Sequence, residues 1–199
     1  IIETYLTVCV PDLRVSVRQF GWSGERAPGF LSRMTNDVLR FRPTIATTCY
    51  GMNDHRYQPF TAEIGDVYSQ SSRAIIQAFK SHGVRVVQGS AGTVGKMPSW
   101  VQTAEGNVQD LNLGLLELRN IDVQLAREEN VTFADLFLPM LIQGRAAQQK
   151  YGASYMITGK DGVHPDWAGQ CVMAYSFLNA FGLEGNLGQI TIDLENKSA

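Results

Sequence analysis

The chain has 199 residues, 17 of them Lys or Arg and 19 Asp or Glu, for a formal net charge of −2. That balance gives no electrostatic case for a nucleic-acid partner, and no apolar run approaches the ~20 residues that cross a bilayer. The length suits one domain with a substantial core. Cys9, Cys49 and Cys171 stand among apolar neighbours without metal-ligand spacing, so they are expected as buried free thiols.

In chain order, Ile1 to Cys9 fits a helix with Ile2, Tyr5, Leu6 and Cys9 on its apolar face, closed before Pro11. Val15 to Phe20 alternates like a strand and stops at the turn Gly21-Trp22-Ser23-Gly24. A helix is expected from about Pro28 to Phe41. The β-branched run Thr44 to Tyr50 then predicts a strand buried on both faces, ending at Gly51-Met52-Asn53-Asp54. Thr61 to His82 is a long amphipathic helix, with Ile64, Val67, Tyr68, Ile75, Ile76 and Phe79 facing inward and Gly83 placed to close it. Val84 to Gly89 is the next strand, followed by a Gly- and Ser-rich loop to Trp100. A helix from Asn107 to about Glu129, a strand from Val131 to Leu136 and a helix from Pro139 to Tyr151 follow. A last helix is expected over Asp166 to Phe181, with Pro165 suited to its first position, and Ile190 to Leu194 alternates like a terminal strand. Strands separated by helices of this length imply one α/β domain with a mostly parallel sheet and helices on both faces. Its site should lie beyond the carboxyl ends of the strands.

The stretch that carries most chemistry is Asp161-Gly162-Val163-His164-Pro165. A carboxylate three residues from an imidazole can hold one ring nitrogen and leave the other to take and return a proton. In Gly51-Met52-Asn53-Asp54 the Asn53 amide is a candidate donor to a developing oxyanion, although Asn and Asp are also ordinary turn residues. The backbone N–H of Gly24 is a second candidate donor. His55 is expected to be an exposed loop residue, and His82 to sit at a helix C-terminus where a cation suits the dipole. Trp22, Tyr57, Trp100 and Trp167 fall in or near loops that should ring the cleft, either as substrate walls or as packing between loops.

Taken in this order, Ser23-Gly24-Glu25, Gly51-Met52-Asn53-Asp54 and Asp161-Gly162-Val163-His164-Pro165 resemble the SGNH (GDSL) hydrolase family. The resemblance spans almost the whole chain. It implies a flavodoxin-like, three-layer αβα sandwich and a serine esterase mechanism. His164 would be the general base, Asp161 its orienting carboxylate, and Gly24 and Asn53 the oxyanion-hole donors. No metal or organic cofactor is implied, and the partner would be a small-molecule or carbohydrate ester.

The family carries its serine in a Gly-Asp-Ser motif at the end of the first strand. This sequence has no Gly-Asp-Ser, and its one Gly-Asp pair, Gly65-Asp66, is followed by Val67. Ser23 lies between a strand and a helix, as a nucleophile elbow does, but lacks the second glycine of that motif. In a sheet of order 2-1-3-4-5 the first strand is central, and losing it would open a gap of ~9.5 Å. Residues 1–199 are therefore expected to be one domain of a longer chain whose first strand and serine lie ahead of Ile1. The far end, where the last strand has no hairpin partner after Leu194, reads as a second cut. A non-catalytic relative that kept the cleft is the alternative. A flavodoxin-like nucleotide or flavin binder would leave Asp161 and His164 without a purpose.

Overall fold

Val86 and Val87 are neighbours on one strand and bury their side chains in different cores. This is the two-residue alternation of a strand covered on both faces. The computed structural model describes residues 1–102, 105–183, 185 and 195. In it β1 (Ile45–Cys49), β2 (Arg85–Gly89) and β3 (Thr132–Ala134) form a parallel sheet in the order β1-β2-β3. Ile45 pairs with Arg85 and Val87 with Thr132. The helices are α1 (Ile2–Cys9), α2 (Ala27–Asp37), α3 (Ala62–Ser81), α4 (Val108–Glu128), α5 (Phe137–Tyr151) and α6 (Trp167–Ala180).

On one face, Phe30 and Met34 of α2, Ile64, Ile75, Ile76 and Phe79 of α3, and Leu118 and Leu125 of α4 pack around Val86. On the other, Phe177 of α6 packs with Val87, Ala134 and Leu136, and Ile2 of α1 lies against them. The result is a three-layer α/β arrangement with a small parallel sheet. A third cluster joins Ala91 and Val94 of the loop after β2 and Val163 of the loop before α6 to Leu111 and Leu115 of α4 and Phe137 of α5.

Local chemistry explains the boundaries. The Thr61 hydroxyl accepts from the Ile64 N–H at 3.3 Å and starts α3. Gly83, at φ 72°, ends it, with N–H bonds from Gly83 to Lys80 and from Val84 to Phe79. Asn107 and Asp110 form a reciprocal capping box at the start of α4. Ser90 Oγ accepts from the N–H groups of Leu136 and Phe137 at 3.0 and 3.2 Å, so the end of β2 caps the start of α5.

Several expectations are corrected. Val15 to Phe20 joins no ladder, and Val15 and Val17 are exposed. Alternation alone makes no strand where no neighbouring edge supplies hydrogen bonds. Thr44 to Tyr50 is not buried on both faces, because β1 borders the described sheet and leaves Ile45, Thr47 and Cys49 exposed. The second helix ends at Asp37, and Leu39–Phe41 forms a separate 3₁₀ turn. Pro165 precedes the N-cap Asp166 of α6 instead of opening the helix. The thiols are free, but Cys171 is exposed and Cys9 half-buried. Cys49, an exposed residue on β1, donates its thiol to the Ser90 carbonyl at 3.3 Å. The expected terminal strand, Ile190 to Leu194, lies outside the described residues.

His55 is the sharpest correction: it is buried, 1% exposed. Arg56 and Tyr57 both adopt left-handed backbone, φ 55° and 54°, and the Tyr57 ring lies 4.8 Å from the imidazole. Neither ring nitrogen has a hydrogen-bond partner among the described residues. Burial depresses the imidazole pKa to about 4, opposed in part by the backbone of Met52 and Gly51. A neutral buried histidine binds fewer protons folded than unfolded between pH 6.5 and 4, so stability falls as pH drops through that window. The loss should approach roughly 3 kcal/mol. Urea titrations at stepped pH should show this slope in the wild type and a flatter one in His55→Leu. Equal slopes would place His55 in contact with water.

Candidate active site

The loop before α6 is built so that Val163 points in and His164 points out. Val163 is buried with Ala91, Val94, Leu111, Leu115 and Phe137, which anchors the loop on the third cluster. Gly162, at φ 92°, lets the chain pass close to its neighbour: its carbonyl accepts from the Gly95 N–H at 2.8 Å. A Cβ there would stand 2.5 Å from the Lys96 carbonyl oxygen, so only glycine fits. Asp161 Oδ1 accepts from the N–H groups of Val163 and His164 at 3.0 and 2.9 Å. Its Oδ2 lies 2.7 Å from His164 Nδ1. The Val163 N–H, ahead of the bond to His164, holds the Asp161 pKa at about 2. The carboxylate is thus ionised wherever imidazole titrates, fixes the proton on Nδ1, and leaves Nε2 as an acceptor. The His164 side chain is 72% exposed, so Nε2 is open.

The second half of the site comes from two other loops. Trp22 to Glu25 is a tight turn closed by the Glu25 N–H on the Trp22 carbonyl at 3.2 Å. Gly24 has φ 71° in that turn, a position that suits glycine. Asn53 Nδ2 donates to the Glu25 carbonyl at 3.2 Å, and the Tyr57 hydroxyl lies 3.5 Å from Asn53 Oδ1. A flipped amide would set oxygen against oxygen at Glu25, so this network assigns the orientation. One Nδ2 hydrogen remains for another acceptor. Asp54, 6% exposed, receives the Ala27 N–H on one oxygen and the Gly51 N–H on the other, both at 2.9 Å. Burial raises its pKa, and those two donors partly offset the rise.

A row of rings joins the two halves. Trp100 lies 5.7 Å from the His164 ring and 6.3 Å from Tyr57, edge-on to the latter. Tyr57 in turn reaches Asn53. Asp161, His164, Trp100, Tyr57, Asn53 and the Gly24–Glu25 turn therefore form one contiguous set. The Trp22 and Trp167 rings are not part of this row. The Trp22 ring lies under the Arg33 guanidinium at 4.3 Å and borders a groove of about 400 Å³ with Gln19, Asn36 and Arg40. Trp167 is 75% exposed at the first turn of α6. Among the described residues, no group of three or more His, Cys, Asp or Glu side chains could hold a metal ion.

Sequence reasoning missed the groups that support these loops. Glu25 and Arg33 pair through two parallel bonds, and Tyr50 donates to the same carboxylate. Beneath β1 and β2, the fully buried Asp122 of α4 lies 2.9 and 3.0 Å from the Tyr68 hydroxyl and accepts from Gln88 Nε2 at 2.8 Å. Burial drives its pKa well up. Asp54 was visible in its motif. Arg33, Tyr50 and Asp122 had no local signal, because their partners are distant in sequence. With an open base, an amide donor and a backbone donor in one set, the arrangement suits acyl transfer. Asp161→Asn keeps the Oδ1 acceptor but faces Nδ1 with an NH₂ group, which favours the wrong tautomer. Ester turnover should fall by up to ~10⁴-fold with little change in melting temperature. Unchanged kinetics would remove the pair from the reaction.

Comparison with known proteins places the fold. Among solved structures, a catalytic mutant of Axe2, an acetylxylan esterase from Geobacillus stearothermophilus, superposes with a TM-score of 0.74 at 22% identity. That match covers 96% of this chain and 82% of the other. A GDSL-like lipase from Parabacteroides merdae gives 0.73 at 22%, covering 92% and 80%. A gut microbial diltiazem-metabolizing enzyme gives 0.77 at 25%, covering 93% of this chain and 43% of that one. No curated protein sequence matches the chain. The model of the GDSL-like Lipase/Acylhydrolase family matches residues 5–171. The chain therefore belongs to the GDSL-like lipase/acylhydrolase family of carboxylic ester hydrolases.

Proposed function

We propose that the protein is a serine esterase of small acyl esters, with acetylated carbohydrate as the substrate class. The observation that carries this reading is the 2.7 Å Asp161–His164 pair with Nε2 open. A serine oxygen, which this reading places on a strand ahead of Ile1, attacks the ester carbonyl and gives its proton to His164 Nε2. The carbonyl oxygen becomes an oxyanion that accepts from the Gly24 N–H and the free Asn53 Nδ2 hydrogen. Collapse breaks the C–O bond to the alcohol, which takes the proton from His164. Water then cleaves the acyl-serine by the same route in reverse.

The acetylxylan esterase neighbours support a sugar ester, as does the exposed Trp100 face beside His164, since aromatic faces pack well against sugar rings. The full-length protein should hydrolyse p-nitrophenyl acetate faster than butyrate or octanoate, and His164→Ala should abolish turnover without unfolding. Retained turnover in that variant would end the triad reading. A fluorophosphonate should label one serine, located by mass spectrometry in a Gly-Asp-Ser segment. Labelling at Ser23 would move the nucleophile into the Trp22–Glu25 turn. Asn53→Ala should lower kcat by about 10²–10³ with a smaller effect on KM. A lowered melting temperature with kcat intact would make Asn53 a turn residue only.

A further inference from the structure

The reading of Gly24 and Asn53 as oxyanion donors leaves open what holds them still. Both belong to loops, and a donor displaced by ~1 Å loses up to ~10² in rate. Beside the Asp54 bonds to Ala27 and Gly51, the structure offers a second support, centred on Glu25. Arg33 Nε and Nη2 donate to Glu25 Oε1 and Oε2 at 2.6 and 2.5 Å, the parallel fork of a bidentate pair. The Tyr50 hydroxyl donates to Oε2 at 2.9 Å, so the carboxylate is held from α2 and from the end of β1. Arg33 is itself fixed: Nη2 also donates to the Phe20 carbonyl at 2.6 Å, Nη1 reaches Asp37 at 3.2 Å, and the Trp22 ring stacks at 4.3 Å. The side chains of Arg33 and Glu25 are 11% and 8% exposed.

The backbone of Glu25 connects this pair to the donors. Its N–H closes the turn that contains Gly24, and its carbonyl accepts from Asn53 Nδ2. We infer that Glu25 and Arg33 are positioning residues for the oxyanion site, acting through the Glu25 carbonyl on Asn53 and through the turn on Gly24. Arg33 also cancels a carboxylate charge that would otherwise oppose the developing oxyanion. Arginine is required over lysine, because an ammonium supplies the charge without the planar fork. This inference rests on the esterase reading above.

A double-mutant cycle separates positioning from plain stability. In the full-length protein, Arg33→Lys should lower kcat for p-nitrophenyl acetate by about tenfold or more, up to ~10²-fold, with KM nearly unchanged. Tyr50→Phe, a milder change that keeps the ion pair, should lower it several-fold. In an Asn53→Ala background Arg33→Lys should cost far less, because the group it positions is already gone. The same fold-loss in both backgrounds would refute the inference and leave a structural ion pair. If the wild type shows no turnover, the esterase reading fails on its own, and NMR still tests the positioning. The Asn53 side-chain amide and the Gly24 N–H should then shift in Arg33→Lys. The amide of Asn112, held by the Val94 and Val108 carbonyls, should not. An unmoved Asn53 amide in a folded Arg33→Lys protein would overturn it.

Discussion

One buried carboxylate joins the loop that carries Asn53 to the start of α2, just after the Gly24 turn. The N-cap position of α2 is Arg26, which provides no side-chain cap. The Ala27 N–H is instead satisfied by Asp54, 27 residues away, whose other oxygen takes the Gly51 N–H. Each oxygen meets an orphan donor, one at a helix start and one at a strand end. The carboxylate also lies where the helix dipole favours negative charge. Without it, two buried N–H groups would lose their acceptor, at a cost of ~1–3 kcal/mol each. Asp54 thereby ties the start of α2, two residues after the Gly24 turn, to the Gly51–Asp54 turn.

The Asp161–His164 loop is anchored by different physics. Val163 holds its loop by apolar burial, and Gly95 and Lys96 back it through close main-chain contact that only Gly162 permits. One oxygen of Asp161 then accepts from the Val163 and His164 N–H groups, and the other meets the imidazole. The loop conformation and the histidine tautomer are thus set by the same group. An exposed His164 needs no core packing to be oriented. It needs only an ionised neighbour, and the two backbone N–H bonds keep Asp161 ionised.

The aromatic row His164, Trp100, Tyr57 lets the two sides meet without a direct bond between them. Its inner end rests on the neutral, buried His55 and on left-handed backbone at Arg56 and Tyr57. Residues in that conformation are costly for bulky side chains and persist where the surroundings over-determine them. Here the surroundings are the imidazole on one side and the Asn53 amide on the other. Below, the Asp122, Tyr68 and Gln88 network fills the space under the strand ends with polar groups that satisfy one another.

The sequence by itself determined most elements and the chemistry of the main loop. Helical periodicity over Ala62–Ser81 and Val108–Glu128 was legible, because amphipathic faces of that length dock on a core, although Val67, expected to face inward, is exposed. Asp161 and His164 are three residues apart, so their contact is a local matter and was legible. Only the tertiary structure decided the rest. Val15 to Phe20 had the alternation of a strand, but pairing requires a neighbouring edge, and none among the described residues supplies one. His55 looked like a loop residue, since nothing in its immediate neighbours announces the Tyr57 ring that folds over it. Arg33, Tyr50 and Glu25 come from separate elements, and Asp54 and Ala27 are far apart in the chain. Hydrogen bonds between such positions depend on how helices dock on the sheet, which no local pattern encodes.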